Sequence, residues 1–152
     1  LVKEQMSLQK AAHSNIDFSL VLDENVVFVQ CDSRQIRQAV TNLIQNSIDS
    51  IETRTEDLQS ENGKIKIALS VEDRFGNIII SDNGRGLPKE GRHRLIEPYV
   101  TTREKGTGLG LAIVAKIVED HRGVFKIQDG SDLGVGATAI MRIPKFISLT
   151  AL

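Results

Sequence analysis

The chain is poor in cysteine, in excess charge of either sign and in long apolar runs, and each shortage removes a class of protein. A single cysteine, Cys31, among 152 residues excludes an intramolecular disulfide framework and fits a reducing compartment. Beside the apolar run from Val26 to Gln30 it reads as a buried free thiol. Lys and Arg number 19 against 20 Asp and Glu, so no strong net field draws the chain to nucleic acid or to an anionic membrane. No apolar stretch approaches the roughly 18 residues of a spanning helix. The first residues also lack the basic-then-apolar pattern of a signal peptide, and the expected location is cytoplasmic. Internal repeats and low-complexity tracts are absent. A chain of this length is expected to be one domain with a real core. Its start at Leu1, inside what reads as helix, points to a piece of a longer protein.

The apolar pattern alternates between helix and strand periods. Val2 to Ala12 has helical spacing and is broken by HSNID, so residues 1–14 read as an N-terminal helix or linker. Phe18 to Leu22 and Val26 to Gln30 are short β-rich runs around Asp23-Glu24-Asn25, a hairpin-like turn. Asp32 and Ser33 are N-cap types, and from there Ile36, Val40, Leu43, Ile44, Ser47, Ile48 and Ile51 trace an amphipathic helix. Residues 52–63 read as a charged loop. Lys64 to Val71 alternates as a strand, Asp73 to Asn77 as a turn, and Ile78 to Ser81 as an apolar strand ending at Asp82. A short helical stretch near Pro88 to Ile96 precedes a glycine loop. A helix then runs from about Leu109 to His121 and stops at Gly123. Val124 to Gln128 and Ala137 to Ile143 read as two strands joined by a glycine-rich turn. The order predicts a two-layer α/β sandwich, a mixed sheet of about five strands with three main helices on one face.

Three segments carry the chemistry. In NLIQNSIDS, Gln38, Asn42, Asn46 and Asp49 follow at helical spacing and share a face opposite the apolar stripe. Spacing alone fits a solvated helix face. Asparagine, however, is a poor helix-interior residue, and an amide oxygen is a hard ligand suited to Mg²⁺ beside phosphates. In DNGRGLP, Asp82 ends an apolar strand just before Gly84-x-Gly86. The run is good turn chemistry by itself, yet a carboxylate can also accept an amino N–H while the glycines, with Leu87 after them, let backbone approach a flat base. In KGTGLGLAIV, Gly106, Thr107, Gly108, Leu109, Gly110 and Leu111 match neither a dinucleotide fingerprint nor a P-loop. Such a loop can face phosphates with backbone amides and a helix N-terminus. Lys105 adds a mobile charge or is a plain surface lysine.

In this order the segments resemble the ATP-binding catalytic domain of sensor histidine kinases, over roughly residues 15–145, within the superfamily that shares the Bergerat fold. The resemblance implies that Asn46 coordinates the Mg²⁺ bridging the triphosphate, with Asn42 near the phosphates and Asp49 on the same face. It implies that Asp82 reads the adenine amino group and that Thr138, in GVGAT, lies near the base. Residues 97–110 would be a lid over the nucleotide. The lid is short, and its EPYVTTREKG run resembles sensor kinases of the nitrogen-regulation kind. The resemblance implies that Tyr99 is its hydrophobic anchor and that Thr101, Thr102, Arg103 and Lys105 lie at the nucleotide, with Arg103 and Lys105 the candidates for the γ-phosphate.

Hydrolytic members of the superfamily carry a glutamate base four positions before the metal asparagine. Here that position is Asn42, and an amide cannot accept a proton at neutral pH. The phosphoacceptor histidine of the kinases sits on a separate helical domain, a pattern that His13, His93 and His121 do not match. The reading is therefore a Mg-ATP-binding catalytic domain that phosphorylates a histidine on a dimerisation domain of the same parent, for relay to a response regulator. The isolated chain would be a monomer within a homodimeric parent. A nucleotide-sensing module without catalysis is the alternative, and an ATP-hydrolysing clamp a further one.

Overall fold

The computed structural model describes residues 1–24, 29–54, 61–98 and 108–145. Three α-helices, α1 (Val2–Ala12), α2 (Ser33–Glu52) and α3 (Gly110–Asp120), accompany five strands. The strands are β1 (Ile16–Leu22), β2 (Gly63–Glu72), β3 (Phe75–Asp82), β4 (Val124–Ser131) and β5 (Gly134–Pro144). They form one mixed sheet in the order β1-β2-β3-β5-β4, parallel between β1 and β2 and antiparallel elsewhere. Among the described residues no helix is long and apolar enough to cross a membrane.

α2 begins where its side chains can start a helix. Asp32 caps it, with Oδ1 accepting the Arg34 N–H at 2.8 Å and the Gln35 N–H at 3.2 Å, which satisfies amides that have no partner inside the helix. Its stripe of Ile36, Val40, Leu43, Ile44, Ile48 and Ile51 is buried against the inward row of the sheet, Ile65, Ile67, Ile80 and Met141. Val114 and Val118 of α3 close the same core. His121 ties the two helices together: its Nε2 accepts the Asp32 N–H at 2.9 Å and its Nδ1 lies 2.7 Å from the Ile117 carbonyl.

The structure departs from the sequence reading at several places. Among the described residues β1 pairs with β2 and forms no hairpin across Asp23-Glu24-Asn25; residues 25–28 lie outside the description. Asp23 instead follows β2, donating its N–H to the Leu69 carbonyl at 2.9 Å and accepting the Val71 N–H at 3.2 Å. Val29 makes an isolated bridge to Lys145. Cys31 is exposed, because it belongs to the lead-in to the α2 cap and not to a buried strand. The β2–β3 turn is tighter than expected: Asp73 adopts φ 46, so two residues suffice and β3 starts at Phe75. The glycine-rich segment after Gln128 is not a loose connection. Both strands continue through it, around a register shift between Asp129 and Ser131, as a β-bulge allows.

Candidate functional site

A cavity of about 240 Å³ opens between α2, the ends of β3 and β5, and the start of α3. Asn42, Asn46 and Asp49 line it from α2. They lie beside the apolar stripe and not opposite it, because α3 as well as the sheet packs on α2 and leaves its flank half-buried. Gln38, a turn earlier, is exposed and outside the cavity. Asn42 Nδ2 donates to the Gly110 carbonyl at a long 3.4 Å. A Cβ on Gly110 would stand 3.7 Å from Asn46 Oδ1, so the first turn of α3 lies against the amide ridge.

Asp82 lies at the base of the cavity and is 4% exposed. Its Oδ1 accepts the Gly84 N–H at 2.9 Å and the Ala137 N–H at 3.4 Å. Burial pushes its carboxyl above the usual range, opposed by the Gly84 amide, the Ser47 hydroxyl and the Ala137 amide. The turn after it is pinned from two sides. Asn83 extends the β2 ladder, donating its N–H to the Lys64 carbonyl at 3.2 Å and accepting the Lys64 N–H on Oδ1 at 2.7 Å. Arg85 donates its N–H to the Ser50 carbonyl at 3.1 Å. A Cβ on Gly84 would fall 2.1 Å from Ser50 Oγ, so only glycine lets the turn pass so close to the end of α2. Gly86 and Leu87 continue into the cavity wall.

The opposite rim is the N-terminus of α3. Gly108, Gly110 and Leu111 line the cavity, and Leu109 stands at the N-cap position of the helix. The positive end of the helix dipole therefore lies at the cavity, the arrangement that favours anions. Thr101, Thr102, Arg103, Lys105, Gly106, Thr107 and Tyr99 fall outside the described residues.

Thr138 is not in this cavity. Its Oγ1 donates to the Gly130 carbonyl at 3.0 Å and lies 3.2 Å from Ser81 Oγ, while its neighbours Ala137 and Ala139 line the cavity. Strand alternation allows only one of these sets to face inward. Sequence reasoning also passed over Ser47, which is 5% exposed, lines the cavity and bonds Asp82. The signal was a hydroxyl within an otherwise apolar stripe. Leu95 and Ile127 line the cavity too, and nothing in their local sequence distinguishes them from core.

Residues 31–147 match the family described as histidine kinase-, DNA gyrase B- and HSP90-like ATPases. The chain belongs to this family. It is 39% identical over 137 residues to nitrogen regulation protein NtrY of Azorhizobium caulinodans, covering 90% of this chain and 17% of that protein. Against sporulation kinase A of Bacillus subtilis it is 30% identical over 112 residues, covering 74% of this chain and 17% of the relative. The chain thus spans about a sixth of these curated relatives' length. Among solved structures, the catalytic domain of histidine kinase ThkA superposes with a TM-score of 0.77 at 33% identity, over 95% of this chain and 90% of the other. ThkA in complex with response regulator protein TrrA superposes at 0.75 and 26% identity, over 95% and 39%. The three-helix, five-strand sandwich is therefore the histidine kinase catalytic-domain fold, and the family is an ATP-binding one.

Proposed function

We propose that the chain is the catalytic domain of a sensor histidine kinase, binding ATP in this cavity and passing its γ-phosphoryl group to a histidine on a separate dimerisation domain. The observation that carries the reading is the buried carboxylate of Asp82, held in place by backbone amides at the closed end of a cavity whose other rim is the N-terminus of α3. That polarity suits a ligand with a neutral, amino-bearing ring at one end and phosphates at the other. Asp82 accepts the ring's amino N–H, and the α3 amides face the phosphates. Gly108 through Leu111 take part with their backbones, and Thr101, Thr102, Arg103, Lys105, Gly106 and Thr107 complete the lid.

The donor set fits Mg²⁺ entering with the triphosphate. Among the described residues no three His, Cys, Asp or Glu side chains cluster, whereas Asn42, Asn46 and Asp49, each carrying a side-chain oxygen, line one flank of the cavity. Such hard oxygens, few in number, suit an ion that keeps most of its shell from phosphate and water. Asn46 would hold it, and the ion would neutralise charge on the phosphates. Catalysis by this chain is then positioning. An imidazole nitrogen on the dimerisation domain attacks the γ-phosphorus, the bond to the β-phosphate oxygen breaks, ADP leaves, and the imidazole proton passes to a base outside this chain. Asn42 stands where hydrolytic relatives carry a glutamate base, and an amide there does not accept a proton, so efficient activation of water from that position is not expected. The ThkA–TrrA complex supports a response regulator as the later acceptor.

Incubation with γ-labelled Mg-ATP, alone and with the parent's dimerisation hairpin, tests the reading. Acid-labile, base-stable label on the hairpin only, lost with Asn46→Ala, is expected. Nucleotide binding with no label on a folded, docked hairpin would favour a sensing module instead.

A further inference from the structure

One wall of the cavity comes neither from the sheet nor from a long helix. It is the segment after Gly86, which contributes Leu87, Pro88 and Leu95. Its regular structure is a single 3₁₀ turn, Arg92–Arg94. A stretch with so few internal hydrogen bonds is held by whatever it touches outside itself. What it touches is Asp129, through Leu87 and Arg92. On β4, Asp129 accepts the Leu87 N–H through Oδ1 at 3.1 Å and Arg92 Nη2 through Oδ2 at 2.9 Å. Arg92 also turns Nε back to the Pro88 carbonyl at 2.7 Å. One carboxylate therefore grips the segment on both sides of its proline. Gly86 makes the approach possible: it sits at φ 80, and a Cβ there would lie 3.0 Å from Asp129 Oδ1. Ile127, two residues before Asp129, lines the same cavity, so the grip sets the wall relative to β4.

We propose that Arg92 and Asp129 form a clasp that holds the Leu87–Leu95 wall against the bound base and sets how long nucleotide stays, without either side chain lining the cavity. The clasp rests on the reading of this cavity as an ATP site. Its members are positioning residues, and both side chains are 44% exposed, so truncating them leaves the core intact. The Leu87 amide, with Arg92 beside it, holds the Asp129 carboxyl below the usual range, which agrees with a carboxylate kept charged by the contacts that define the clasp.

Stopped-flow displacement of a fluorescent ATP analogue from the 152-residue chain tests this, with hydrogen exchange at the Leu87 amide followed in the absence of nucleotide. In Asp129→Ala and Arg92→Ala, dissociation should quicken about 3- to 10-fold while association stays within about twofold. Asp129→Asn keeps an acceptor for the Leu87 N–H but loses the charge, and should fall between wild type and Asp129→Ala. The double variant Arg92→Ala with Asp129→Ala should dissociate no faster than Asp129→Ala alone, a non-additivity that general loosening of the fold would not give. Leu87 exchange should rise in both alanine variants. Unchanged dissociation in both, with wild type binding normally, would overturn the clasp alone. A wild-type chain that binds no adenine nucleotide would overturn the ATP reading and the clasp with it.

Discussion

The two ends of the cavity are built on different principles. At the closed end Asp82 is buried, accepts two backbone amides and bonds Ser47, and its turn is pinned to both β2 and α2. At the open end the groups are half-buried side-chain amides and the N-terminus of α3. The first is a fixed shape that can discriminate by hydrogen-bond pattern. The second is a set of donors and oxygens that bind charge with little dependence on the rest of the ligand. On the proposed reading, identity of the base is read at the end pinned to β2 and α2, and phosphate is handled at the start of α3.

The sharpest way to separate the ends is to remove one function from each. Asn46→Ala should abolish label transfer to the hairpin and the Mg²⁺-dependent tightening of ATP, while leaving metal-free nucleotide binding close to wild type in titration calorimetry. Persistent tightening by the metal would put its ligand elsewhere. Next in size, Asp82→Asn should weaken ATP by ~1 to 3 kcal/mol, the scale of a lost charged hydrogen bond. The same change should raise the melting temperature of the free chain. Burial raises the folded carboxyl above its ordinary value, so the folded state holds that proton more tightly than the unfolded one. The cost is therefore present at neutral pH and is relieved as pH falls through the folded value toward the unfolded one. For the same reason ATP affinity in wild type should decline on acidification at a higher pH than an ordinary aspartate would give, and Asp82→Asn should flatten that profile.

Smaller effects refine the comparison. Gly84→Ala forces a methyl group onto Ser50 Oγ and should lower stability by about 1 to 3 kcal/mol in denaturant unfolding, as overpacking does. Ser47→Ala should cost ATP affinity by roughly 0.5 to 1.5 kcal/mol, since its hydroxyl helps keep Asp82 ionised. An equal loss for inorganic triphosphate would contradict a role confined to the base end.

Local chemistry made the larger part of the site legible. Asp82 stood out because an apolar strand ended on a carboxylate before two glycines, and α2 because Asp32 opened a stripe of correct period. Errors arose where facing depends on partners distant in sequence. Thr138 lies one step out of phase with the inward Ala137 and Ala139, a matter of pleat that the GVGAT run does not record. Asp23 follows β2 because β2 supplies its partners, 46 and 48 residues later for Leu69 and Val71. Arg92 and Asp129 are 37 residues apart, and neither sits in a recognisable motif. The Asn42, Asn46 and Asp49 flank was found by spacing, but its orientation required knowing that α3 packs beside it.

The central claim is that Asp82 reads an amino group on the base, and titration calorimetry of ATP against inosine triphosphate tests it most directly. The two ligands share phosphates and sugar and differ where adenine donates and hypoxanthine presents an oxygen. The account predicts that wild type binds ATP at least about 10-fold more tightly and that Asp82→Ala narrows the gap. Equal affinity of the wild-type chain for both would contradict it.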